Sequence, residues 1–320
     1  MLGRTANDLY WLSRYVERAE NMARLIEVGF RIVLVPRGDD TLDDGTLQHD
    51  WLSTLQSAGC DQQYLEKHLV MTTRDVVNFL VFDASNPSSI RTCLSTARRN
   101  ARAQRTALTR EMWECLNSSW IQFEAIDAET ITSGTLLKLL DWVKERSAAY
   151  RGALLNTILR NDTFYFSQLG TFLERADNTA RILDVKYFVL LPRPEMVGSS
   201  VDNTQWGAIL RSVSAHRSYR WVYKDTYRAS GIADFLILNG QMPRSLRSCY
   251  GEISSALDGL SSHYSKTSAS SGLARETRDM LDTTTIEGIF RSGLHEFLSD
   301  FISTNNRLDA GISADYHFTG

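Results

Sequence analysis

The phrase "YVERAENMARLIEV" at residues 15–28 returns as "FLERADNTARILDV" at residues 172–185. Seven of the fourteen positions are identical and six more are conservative, so that only Met22 against Thr179 is out of pattern. The echo runs on: "FLVFDASNPSSIRTCL" (79–94) matches "FLILNGQMPRSLRSCY" (235–250) at an offset of 156. There Phe79, Leu80, Pro87, Ser89, Arg91 and Cys93 recur as Phe235, Leu236, Pro243, Ser245, Arg247 and Cys249. Trp51 and Leu55 correspond to Trp206 and Leu210, and "REMWECLN" (110–117) echoes "RETRDMLD" (275–282). Offsets this steady point to two tandem copies, residues 1–160 and 161–320, within one domain. So long a period does not suit a solenoid and suits a duplicated helical bundle.

Apolar residues recur at helical spacing along nearly the whole chain, which carries only five prolines. The pattern predicts helices at 5–34, 50–58, 62–82, 88–117, 130–160, 163–191, 203–214, 216–238, 244–263 and 273–304. Breaks rich in turn formers fall at 36–46, 83–89, 193–203, 239–243 and 265–272. Asn86-Pro87 and Met242-Pro243 each read as a helix start with proline in the first turn. No alternating strand pattern of useful length occurs, and the expected fold class is all-α. Two equivalent halves would pack about a pseudo-twofold axis and share one core, their first helices meeting each other.

On the first helix Trp11, Tyr15, Met22 and Ile26 point one way, and Glu17, Asn21 and Arg24 the other. The three polar residues lie within about 60° of one another on an ideal wheel, and Glu174, Asn178 and Arg181 repeat them. Together with Arg18 and Arg175 they form a candidate polar network, with crossed Glu17–Arg181 and Glu174–Arg24 pairs. Three readings stay open: the solvated face of an amphipathic helix, a buried ion-pair network, or a ligand site.

A formal charge of −3 gives no global attraction to nucleic acid or anionic membrane. The four cysteines are scattered without a C-x-x-C pair, which argues against a zinc site or a disulfide framework. The opening twenty residues carry charges where a signal peptide needs an apolar run, and the longest apolar stretch, "YFVLL" (187–191), is far too short to span a bilayer. A cytoplasmic, soluble protein is expected.

Familiar catalytic signatures are missing. The sequence has no phosphate-cradling glycine loop, no H-E-x-x-H and no G-x-S-x-G elbow. Glu66 and His68 are two apart, off the Glu-x-x-His spacing of di-iron bundles, and neither metal nor cofactor is expected. If the chain has chemistry of its own, Glu17 or Glu174 would be the general acid or base, with neighbouring arginines holding a substrate carboxylate.

The densest functional signal follows Pro87. Residues 91–110 hold six arginines and no acid, and Arg91, Arg98, Arg102 and Arg105 share one stripe of about 60°. Guanidinium groups in a row pair with internal carboxylates such as Glu17 and Glu174, or they attract an anion or the acidic face of a partner. Nucleic acid is the weakest of these readings, because no aromatics interleave with the arginines. At the repeat offset Arg98, Arg102 and Arg105 become Ser254, Asp258 and Ser261, so the stripe belongs to the first copy alone.

With both E-R-A-x-N-x-A-R phrases in place, the chain resembles the bacterial alpha-E family of all-helical proteins with a Glu-Arg motif. "LGRTANDLYWLSRYVERAENMARLIE", "NPSSIRTCLSTARRNARAQRTALTREMWECLN" (86–117) and "FLILNGQMPRSLRSC" (235–249) carry the resemblance. One departure is Arg99, where the resemblance leads one to expect an acid. The resemblance implies association with circularly permuted ATP-grasp proteins similar to amide ligases, and with transglutaminase-like and proteasome-like peptidases. It implies a helical accessory partner in making or handling peptide-like amide bonds. An enzyme using the Glu/Arg/Asn cluster on amide substrates, or an anion or nucleic-acid binding module, are the alternatives.

Overall fold

The computed structural model describes residues 1–33, 44–189, 200–224 and 227–318. Among the described residues there are fifteen α-helices and no strand. The first half contains α1 (Gly3–Val33), α2 (Asp44–Ala58), α3 (Asp61–Leu65), α4 (Thr73–Val81), α5 (Ile90–Ala103), α6 (Arg110–Glu124) and α7 (Ser133–Thr157). The second contains α8 (Asp162–Val189), α9 (Ser200–Ser212), α10 (His216–Tyr223), α11 (Ala229–Ile237), α12 (Leu246–Tyr264), α13 (Ala269–Thr283), α14 (Ile286–Ser292) and α15 (Leu294–Asp315).

The expected helices are present, but several are interrupted by side-chain caps. The 62–82 segment divides where the Thr72 hydroxyl accepts the Asp75 amide, and 88–117 divides where Thr109 accepts the Met112 amide. The 216–238 segment divides at Lys224, which turns left-handed at φ 50°. The 273–304 segment divides at the Thr285 cap and again at Gly293, whose φ of 101° suits glycine. Pro87 and Pro243 stand two residues ahead of the caps Ser89 and Ser245, outside the first helical turn in which the sequence places them. Most of the expected 36–46 loop, most of the 193–203 loop and the end of "YFVLL" lie outside the described residues; Asp44 and Ser200, called loop, open α2 and α9.

The long helices α1 and α8 pack against each other at the centre. α5 and α7 flank α1 with α6 bridging them, and α12 and α15 flank α8 with α13 bridging them. α2 touches both central helices, and so does α9. The same set of pairings thus occurs in each half. Gly170 lets α8 come close to α1, since an added Cβ would collide with the Tyr10 carbonyl.

Encirclement changes the character of α1. Every residue from Ala19 to Phe30 is buried, on all sides of the helix. Trp11 and Tyr15, on the apolar side of the wheel, are only half-buried, whereas Glu17, Asn21 and Arg24 are buried. The solvated-face reading of those polar residues is therefore incorrect for this chain. Among the described residues the buried apolar side chains group in three clusters, one of which joins Leu9 and Leu25 of α1 with Leu169 and Leu173 of α8 and with residues of α12 and α15, and the face between α1 and α8 also carries charge. No helix among the described residues is long and apolar enough to cross a membrane.

Candidate functional site

A helix places residues i, i+3, i+4 and i+7 on one face. On α1 these are Glu17, Glu20, Asn21 and Arg24; on α8 they are Glu174, Asp177, Asn178 and Arg181. The arginine following each leading glutamate reaches across the seam. Arg175 donates Nε and Nη2 to the two Glu17 oxygens at 2.9 and 3.0 Å. Arg18 donates Nε and Nη2 to the two Glu174 oxygens at 2.6 and 2.9 Å. Each Glu-Arg pair exchanges its arginine with the other, in the two-bond geometry that suits guanidinium to carboxylate.

The expected crossed pairs Glu17–Arg181 and Glu174–Arg24 do not form. Arg24 and Arg181 fold back along their own helices instead, onto Glu20 at 2.6 Å and Asp177 at 2.6 Å. One turn separates each of those acids from its arginine, and this nearer contact wins over the cross-seam one. Asn21 does cross, donating to the Glu174 carbonyl at 3.2 Å.

Residues absent from the sequence reading complete the network. Arg151 of α7 and Arg244 of the turn before α12 both reach Glu17, at 2.9 and 3.1 Å, and both also reach Glu20. Arg14 donates Nε to Glu174 at 3.0 Å and pairs with Asp309 of α15 at 2.7 Å, while Tyr10 donates its hydroxyl to Asp309. Glu20 and Asp177 sat inside the repeated phrase. Arg244 was visible as the charged residue standing where the first copy has Ser88.

These surroundings fix the ionisation of the carboxylates. Burial pushes Glu17 upward, but Arg175, Arg244 and Arg151 outweigh it and leave the carboxyl below its ordinary value. Glu20, equally buried, is held well below by Arg244, Arg151 and Arg24. Burial likewise opposes ionisation of Glu174, yet Arg18 and Arg14 bring it down to about 2. Burial also drives the Arg244 guanidinium down to about 10, against the pull of Glu20 and Glu17. Groups that stay ionised at neutral pH are weak proton carriers, since general acid–base work wants a pKa near the operating pH.

The arginine stripe lies elsewhere. Its helix ends at Ala103, so Arg105 falls beyond α5 and rests over the Trp113 ring, 5.2 Å from the centroid. Arg98 donates to Asn117 at 2.9 Å. Arg91, Arg99 and Arg102 are exposed and have no ion-pair partner among the described residues. None of these arginines reaches Glu17 or Glu174, because α5 turns its Cys93, Ala97 and Ala101 side inward and its arginines outward. In the second half the Asp258 equivalent pairs with Arg275.

Fold and seam define an all-α helical bundle protein whose two central helices exchange buried Glu-Arg pairs. The chain belongs to the Alpha-E family, described as a predicted alpha-helical domain with a conserved ER motif, whose model matches residues 1–317. No curated protein and no solved structure matches it.

Proposed function

We propose that this protein is a cytoplasmic, non-catalytic helical partner of an ATP-grasp-type ligase that makes peptide-like amide bonds. It docks an acidic surface of the ligase, or an acidic substrate, on the arginine face of α5. The observation that carries this reading is the outward row Arg91, Arg99 and Arg102, exposed and without ion-pair partners among the described residues. A cation row without ion-pair partners among the described residues is suited to meeting negative charge outside the chain. The choice of ligase rests on the family resemblance. The seam supports a supporting role over the competing enzyme reading, because Glu17 and Glu174 are each held ionised by two or more arginines. The paired packings of α1 and α8 support residues 1–160 and 161–320 as duplicated halves of one domain.

Charge reversal at Arg99 and Arg102 tests the docking face. Both side chains are exposed, so R99E/R102E leaves folding unchanged and weakens binding to the purified ATP-grasp protein by roughly tenfold or more, as rim-to-rim charge pairs reversed in sign do. Wild-type affinity in the folded double variant would overturn the assignment.

A further inference from the structure

The two halves differ at one place on the seam. Around Arg244, the Glu17, Glu20 and Asn21 side chains accept from the guanidinium, and the Thr179 hydroxyl donates to the Arg244 carbonyl at 2.8 Å. The equivalents in the other half, at offsets of 157 and 156, are Glu174, Asp177, Asn178, Met22 and, in place of Arg244, Ser88. A serine there is too short to reach the acids. These equivalents line a cavity of about 220 Å³ that opens beside Gly59 and Arg181. Met22 against Thr179, the one mismatch in the repeated phrase, falls at this place.

Two polar atoms of α8 at the cavity are buried without a hydrogen-bond partner among the described residues: Asp177 Oδ1, an acceptor, and Asn178 Nδ2, a donor. Asn178 is only 7% exposed. Buried groups of this kind are costly unless something bonds them.

We infer that this cavity binds an arginine group, its guanidinium taking the position that Arg244 fills in the other half. The guanidinium donates to Asp177 Oδ1, and a carbonyl oxygen of the ligand accepts from Asn178 Nδ2. Charge favours the assignment. Glu17 and Glu20 already hold four arginines, Arg24, Arg151, Arg175 and Arg244. The cavity lining carries two arginines, Arg18 and Arg181, against two acids, Glu174 and Asp177, so one more cation is less crowded here than at Arg244. Size favours it too, since pockets for drug-sized ligands run from about 300 Å³ upward and this one suits a single side chain. The inference is independent of the docking face on α5 and stands or falls separately.

The test is isothermal titration of the full chain with N-acetyl-argininamide, with agmatine, and with N-acetyl-glutaminamide as the uncharged control. Saturable binding of the argininamide and none of the control is expected. Agmatine, which has no carbonyl to accept from Asn178 Nδ2, binds more weakly than the argininamide; equal binding of the two would overturn the Asn178 contact. Asp177→Asn lowers the affinity by roughly tenfold or more, the loss expected for a hydrogen bond to a charged group. Ser88→Arg supplies a tethered guanidinium, abolishes binding and raises the melting temperature. Failure of the argininamide to bind the wild-type chain, or equal binding by either folded variant, overturns the inference.

Discussion

Glu20 and Asp177 occupy equivalent places on α1 and α8, so removing one charge from each is a controlled comparison. Glu20 has no exposed surface and accepts from Arg24 at 2.6 Å, besides pairing with Arg151 and Arg244. Glu20→Gln keeps the shape, leaves Arg151 and Arg244 to Glu17, and leaves Arg24 to the Ser212 carbonyl and the Ser214 hydroxyl. Breaking a buried ion pair from one side costs about 3–5 kcal/mol. Among the described residues Asp177 pairs only with Arg181, one turn along the same helix, with 17% and 34% of the two side chains exposed. Such a pair contributes about 0.3–0.5 kcal/mol. Unfolding entropy near 2.1 cal/mol/K per residue gives about 0.7 kcal/mol/K for 320 residues. The melting temperature therefore falls by about 4–7 °C in Glu20→Gln and by less than about 1 °C in Asp177→Asn. Thermal unfolding followed by far-UV circular dichroism and by tryptophan fluorescence reads both. Equal shifts in the two variants would refute the reasoning that burial and multiple pairing, rather than position on the repeat, set the energy.

Acid sensitivity follows from Glu174, whose folded pKa of about 2 lies below the ordinary 4.5. A depressed carboxylate stabilises fully above its unfolded pKa and loses that contribution as pH falls toward its folded one, here on the order of 3 kcal/mol. Stability measured between about pH 5 and pH 3 falls with acid in the wild type, and the slope flattens in Glu174→Gln; parallel slopes would count against the Arg14–Glu174–Arg18 assignment. Gly170→Ala drives a methyl into the Tyr10 carbonyl and destabilises by about 1–3 kcal/mol, whereas Gly152→Ala on α7, with open space around it, stabilises by about 0.5–1 kcal/mol. Denaturant titration of both distinguishes a close α1–α8 crossing from a loose one. Thr109→Ala removes the cap that starts α6 and costs about 1 kcal/mol, a loss the same titration detects.

The helical class, the meeting of α1 with α8 and the polar cluster were legible because the repeat put the same residues at the same spacing in both halves. Three things were not. Periodicity continues across short breaks, so the caps Thr72, Thr109 and Thr285 hid inside apolar patterns that read as single helices. Each was nevertheless a Ser/Thr-type helix start written in plain residues. Wheel geometry places side chains on a face but does not say whether that face meets water; Glu17 and Arg24 proved buried because α5, α7, α2, α8 and α9 surround α1. Pairing was misassigned for a related reason. Arg24 and Arg181 each had an acid one turn away, Glu20 and Asp177, and the choice between that acid and a partner across the seam depends on how closely two helices approach. Arg151 and Arg244 come from two different elements, and only the fold brings both to Glu17 and Glu20, as it brings Arg14 to Glu174.

The proposed partnership is measured most directly by ADP release. Substrate-stimulated ADP release is recorded for the purified ATP-grasp protein, for this chain, and for their mixture. The expected result is release that requires or is markedly raised by the mixture, and none from this chain alone. Turnover by this chain alone, or an ATP-grasp rate indifferent to its presence, would contradict it.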